Sequence, residues 1–171
     1  MASENFRTNP VRGKRGDRLE IEKRMAELGI HLPEVAKPVA SYVPAVISGN
    51  LVFVSGNVAL IEGRLVAKGR LGEDVSEERG YECARIAALT CLAAVKSVIH
   101  DLDRVRRIIR VTGFVRSAPG FDRQPFVVNG ASDVLLEIFG EAGKHSRLAI
   151  GTNELPLGAP VEIEMIVEIK P

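Results

Sequence analysis

The chain carries almost no net charge: 23 Lys and Arg against 22 Asp and Glu leave a formal +1 over 171 residues. It therefore has no global field to gather nucleic acid or an anionic membrane surface. Aromatic residues make up only 5% and tryptophan is absent. The basic run "RVRRIIR" (104–110) thus lacks the aromatic platforms on which bases stack, which disfavours RNA recognition. No apolar run reaches the roughly 18 residues of a membrane span, and no hydrophobic signal segment opens the chain. Of the two cysteines, Cys83 and Cys91 fall in one helical pattern. Eight residues at a helical rise separate them by about 12 Å, too far for a disulfide within the chain. Free thiols fit a reducing, cytoplasmic compartment. His31, His100 and His145 are scattered without ligand spacing, so no metal site is expected.

What is present is an ordinary globular composition, with 46% hydrophobic residues and enough length for one domain with a real core. Residues 1–37 read as an appendage: a basic, flexible leader "MASENFRTNPVRGKRG", a short helix "DRLEIEKRMAELG", and a proline-bearing linker. In that helix Asp17 and Glu20 form a capping box, Gly29 ends it, and Ile21, Met25 and Leu28 make a narrow apolar stripe. Residues 38–171 form the domain. "AVISGNLVFVSG" is a hairpin signal, with a central strand at Leu51–Val54, and "RLVAKG" reads as a short edge strand. Asp74, with Glu77 three residues on, starts a long helix that places Tyr81, Ala84, Ala88, Cys91 or Leu92, Val95 and Ile99 on one face. "RVRRIIRVTGFVRS" is a β-branched strand, and "DRQPFVVNGASDVLLEIFGEAG" a second helix with Val127, Ala131, Val134 or Leu135, and Ile138 inward. In the final strand Val161, Ile163, Met165, Val167 and Ile169 alternate with Glu162, Glu164 and Glu168.

The order after the first helix is βββαβαββ, an α+β fold with a mixed sheet and two helices on one face. The opposite sheet face is then expected to carry Glu162, Glu164, Arg147, Arg110, Thr112 and Arg116, interleaved with apolar residues. A half-apolar open face of that kind points to a homo-oligomer.

Three stretches resemble the RidA/YjgF reactive intermediate deaminase family: "SYVPAVISGNLVFVSGNVAL", "FVVN", and "SR" followed by "LP" and "VEIE". The resemblance covers roughly residues 38–171 and marks the chain as a longer branch with an added N-terminal helix. It implies a chorismate-mutase-like fold, a homotrimer with clefts between subunits, and no cofactor. It also implies hydrolysis of 2-imino acids and enamines to 2-keto acids and ammonia. On this resemblance Arg147 grips a substrate carboxylate and Glu162 handles the attacking water. Tyr42, Ser55, Gly56, Asn129 and Ala149 line the cleft, with Ala149 standing where archetypal members have cysteine.

The chemistry is sound from first principles. An arginine fork matches a carboxylate with two parallel charged hydrogen bonds. Backbone N–H groups near Gly56 and Ala149 can add donors. A carboxylate can take a proton from water and return it to the departing amine. Glu162 and Glu164 are about 7 Å apart on one strand, and repulsion between them raises the proton affinity of one where they are buried together. Two other readings compete. One is a non-enzymatic protein that binds small carboxylates in the same clefts; the other is an endoribonuclease or translation inhibitor.

Overall fold

The structure, a computed structural model, describes residues 21–35 and 41–171. Asp17 and Glu20, the expected capping box, lie outside the described residues. Helix α1 spans Ile21–Glu27 and buries Ile21 and Met25. The Asp103 carboxylate accepts a hydrogen bond from the Ile21 amide at 2.7 Å, so the cap at this position comes from far along the chain. At the other end Gly29 has φ +66°, and the Ile30 amide returns to the Met25 carbonyl at 2.8 Å, a Schellman closure. That turn buries Ile30 and leaves Leu28 exposed, contrary to the stripe expected from spacing alone. Ile21, Met25 and Ile30 all belong to the main hydrophobic core.

Strands β1 (Ala45–Ser48), β2 (Leu51–Val58), β5 (Val105–Arg116), β6 (Ser146–Thr152) and β7 (Val161–Ile169) form a five-stranded sheet in the order β1-β2-β7-β5-β6. All pairs are antiparallel except β5 with β6. Gly49, with φ +60°, opens the two-residue β1–β2 loop, the position where a tight hairpin turn demands glycine. The expected third strand does not reach this sheet. Leu60–Ile61 (β3) and Arg64–Leu65 (β4) pair only with each other, two residues against two, and the edge role falls to β1.

The two C-terminal strands are not neighbours: β6 lies beside β5 and β7 sits at the centre, so β5 separates them. Parallel pairing of β5 and β6 requires a long crossover, and the second long helix supplies it. On β7 the strict alternation holds, with Val161, Ile163, Met165, Val167 and Ile169 all buried. Each such side chain is worth roughly 1.5–3 kcal/mol when buried. A one-residue slip would put Glu162, Glu164 and Glu168 in the core instead, so the register is strongly fixed.

The long helices α2 (Glu77–Ile99) and α3 (Gln124–Phe139) cover the same face, α2 over β2 and β7, α3 over β5 and β6. Ser76, not Asp74, caps α2, accepting from the Arg79 amide at 3.2 Å. Asp74 instead accepts from the Arg70 amide and closes the preceding loop. Alanines at 84, 87, 88 and 94 are buried and let α2 lie close to its neighbours. A Cβ at Gly130 would sit 2.0 Å from the Tyr81 carbonyl oxygen, so α3 meets the α2 backbone there. A Cβ at Gly113 would sit 2.5 Å from a Val128 methyl, which brings α3 equally close to β5. On the uncovered face Val46, Phe53, Leu148 and Ile150 are exposed apolar residues.

Candidate functional site

Two groups of side chains stand out, on opposite faces of the sheet. Pairing register decides this. Arg147 aligns with Val111, which is buried beneath the helices, whereas Glu162 aligns with Phe114. Residues 111 and 114 are an odd number apart on one uninterrupted stretch of strand and point oppositely. Arg147 therefore does not share the open face with Glu162, Glu164, Arg110, Thr112 and Arg116, which corrects the expectation drawn from the sequence.

The first group gathers around a bulge in β2. Between the pairs Val54–Met165 and Asn57–Ile163 the register slips by one residue, at Ser55-Gly56. Ser55 binds the incoming chain twice: its amide donates to the Pro44 carbonyl at 3.0 Å, and its hydroxyl to the Val43 carbonyl at 2.8 Å. This fixes the segment that presents Tyr42, whose ring is exposed. Gly56 supplies room rather than a contact, since a Cβ there would lie 2.0 Å from Glu162 Oε1. The half-buried Glu162 carboxylate lies across that glycine. Among the described residues none donates a hydrogen bond or ion pair to it. Burial, and then the neighbouring Glu164 charge, hold its proton affinity above the ordinary carboxylate range.

The second group lies where the edge strand β6 meets α3. Arg147 Nη1 donates to Asn129 Oδ1 at 2.8 Å and to Ser132 Oγ at 3.0 Å, and Nη2 donates to the Pro125 carbonyl at 3.2 Å. A guanidinium has five N–H donors. Nη1 and Nη2 are engaged, and among the described residues Nε–H has no partner. Nε and Nη2 form the edge of the guanidinium that can receive a carboxylate bidentately. Ala149 follows on the same side of β6 as Arg147, aligned with Gly113.

Asn129 and Arg147 are thus brought together, as are Gly56 and Glu162 beside Ser55, while Tyr42 lies just ahead of the Val43 carbonyl that Ser55 holds, and the two sets are held apart within one chain. Sequence reasoning missed Ser132 and His145. Ser132 lies three residues after Asn129 and so on the same helix face, a spacing that could have revealed it. His145 Nε2 lies 3.0 Å from Ser132 Oγ, and its Nδ1 lies 2.6 Å from the Gly143 carbonyl. Nothing in the spacing of the histidines pointed to that contact. Among the described residues no group of acids, cysteines and histidines could hold a metal ion, and no helix is long and apolar enough to cross a membrane.

A mixed sheet with two long helices on one face defines an α+β protein of the chorismate-mutase-like class. Residues 22–169 match the family described as "YjgF/chorismate_mutase-like, putative endoribonuclease", and the chain belongs to that family. It is 39% identical over 150 residues to Protein TCP17 of Trypanosoma cruzi, covering 87% of this chain and 94% of that one. A solved structure from Agrobacterium tumefaciens, of unknown function, is 44% identical with a TM-score of 0.82, covering 90% of this chain and 94% of the other. One from Shewanella oneidensis, described as a "putative endoribonuclease", is 35% identical with a TM-score of 0.84, covering 87% and 99%. The fold also resembles that of E. coli TdcF with bound serine, at 22% identity and a TM-score of 0.55, over 81% of this chain and 94% of that one.

Proposed function

We propose that this protein hydrolyses reactive 2-imino acids and their enamines to 2-keto acids and ammonia, at clefts between the subunits of a cytoplasmic homotrimer. The observation that carries this reading is the pairing of two prepared but separated groups. Among the described residues Arg147 leaves Nε–H without a partner on one sheet face, and the Glu162 carboxylate, of raised proton affinity, has no donor on the other. A small acid cannot touch both within one chain, so the working site takes Arg147 from one protomer and Glu162 from its neighbour. The exposed Val46, Phe53, Leu148 and Ile150 provide the apolar surface that such association would bury.

In this cleft Arg147 holds the substrate carboxylate through Nε–H and Nη2–H, with Asn129 and the Pro125 carbonyl keeping the guanidinium in place. Glu162 takes a proton from water as its oxygen bonds to the imine carbon. Glu162 passes that proton to the nitrogen, giving a carbinolamine, and then moves the carbinolamine hydroxyl proton to the nitrogen as the C–N bond breaks, the C=O forms and ammonia leaves. A carboxylate whose proton affinity is raised can both accept and release that proton near neutral pH. Tyr42 lines the cleft beside the bulge, Ser55 holds the Tyr42 segment, and Gly56 keeps the floor open. Backbone N–H groups near Ala149 add donors from an unpaired sheet edge. No step requires a cofactor or metal.

The serine bound in TdcF supports a second reading, a non-catalytic site for small amino acids or carboxylates. One experiment separates the two. 2-Aminoacrylate or another imino acid is generated in situ by a dehydratase or an amino-acid oxidase, and its disappearance followed. Catalysis requires wild type to accelerate the loss, Arg147→Ala to lack the acceleration, and Glu162→Gln to bind the keto acid without turnover. Equal rates with and without protein would reject the hydrolase.

A further inference from the structure

We propose that Ser132 and His145 are positioning residues that hold the Arg147 guanidinium in its carboxylate-receiving pose. This rests on the reading of Arg147 given above. Proton directions along the contact are fixed from one end. The Gly143 carbonyl, 2.6 Å from His145 Nδ1, can only accept, so Nδ1 carries the hydrogen and Nε2 is the acceptor. Nε2 then takes the Ser132 hydroxyl hydrogen at 3.0 Å, and the serine oxygen is left with lone pairs alone for Arg147 Nη1, also at 3.0 Å. A helical serine without such an acceptor turns its hydroxyl back to its own helix carbonyl. The far end is anchored by packing: Gly143 is buried, and a Cβ there would lie 2.3 Å from the Leu135 carbonyl oxygen of α3. Burial, followed by the Arg147 charge, lowers the proton affinity of His145 and favours the neutral ring this direction needs.

By this relay an exposed arginine on an edge strand is held in one pose before substrate arrives. Fixing a long side chain in advance removes an ordering cost from binding. Loss of the relay is therefore expected to raise KM for an imino acid about three- to tenfold, with kcat within about twofold.

The test uses full-length protein with Ser132→Ala, His145→Phe and His145→Gln. The glutamine places Oε1 near the position of Nε2 and can still accept from Ser132. NMR of the unliganded protein reads the Arg147 Nη hydrogens, which are resolved when rotation is hindered and averaged when it is free. Imine consumption gives KM and kcat. The proposal expects resolved Arg147 signals in wild type and His145→Gln, averaged signals in Ser132→Ala and His145→Phe, and the KM increase confined to the latter two. Unchanged Arg147 signals in both of those variants would overturn it whatever the kinetics. Collapse of the signals in a protein without imine turnover would leave the relay standing and reject the hydrolase instead.

Discussion

Replacing Gly56 by alanine isolates the placement of the Glu162 carboxylate. Gly56 does not have a positive φ, so its backbone accepts an alanine. The new methyl carbon would lie 2.0 Å from Oε1, 2.9 Å from Cδ and 3.3 Å from Cγ of Glu162. To recover ordinary contact the carboxylate must retreat by roughly 1.5 Å. Misplacement of a reacting group by about 1 Å is worth on the order of 10²-fold in rate. The effect on stability is much smaller. Leaving a rotamer minimum costs about 0.5–1.5 kcal/mol, and removing a glycine from the unfolded chain offsets about 0.4–1 kcal/mol. Gly56→Ala should therefore lose about 100-fold in kcat/KM for imine hydrolysis. Its unfolding free energy in urea should stay within about 1 kcal/mol of wild type. The assay is imine consumption at pH 7 beside urea unfolding of the same preparation. Activity within threefold of wild type, in a variant whose crystal structure shows Glu162 displaced, would refute the role given to that carboxylate.

Glu162→Gln should be more stable than wild type at pH 7 while losing turnover. The raised folded-state pKa means that the fold disfavours the ionised form, so wild-type stability falls as pH rises through and above the ordinary carboxylate value of 4.5. Thermal melts should show the difference at pH 7 and its disappearance below pH 4. Gly130→Ala places a methyl carbon 2.0 Å from a backbone oxygen of α2, which cannot rotate aside. It should lose about 1–3 kcal/mol or more of unfolding free energy in urea, and a loss under 0.5 would contradict the close approach of the helices. Cys83 and Cys91 are buried, and burial pushes their thiols up to about 11 and about 12. Native protein should react with an aromatic disulfide reagent only at the rate of unfolding, so rapid labelling at pH 8 would show the core to be open.

How far the sequence disclosed this structure depended on the range of the interaction. Periodicity gave α2, α3, β5 and β7, with the inward residues of α3 and β7 and most of those of α2, because burial of an apolar face is written locally. The inward face of β7 needed no knowledge of neighbours. Pairing partners are not local. That Arg147 and Glu162 lie on strands separated by β5, and on opposite faces, follows from a parallel crossover between β5 and β6 that no nearby residue announces. The same holds for the α1 cap. Asp103 serves the Ile21 amide across 82 positions of sequence, and only the folded chain brings them together. At the site, Asn129 and Arg147 were legible through family resemblance, but His145 was not, because its role depends on a single backbone carbonyl at Gly143.

The most direct test mixes two inactive variants. Arg147→Ala and Glu162→Gln, each purified, are combined under conditions that exchange subunits, with exchange verified by native mass spectrometry, and imine hydrolysis is measured. If each cleft joins an arginine from one protomer to a glutamate from the next, random reassembly restores about one quarter of wild-type activity. Activity that remains at the sum of the separate variants after verified exchange would mean that the two groups do not meet across an interface.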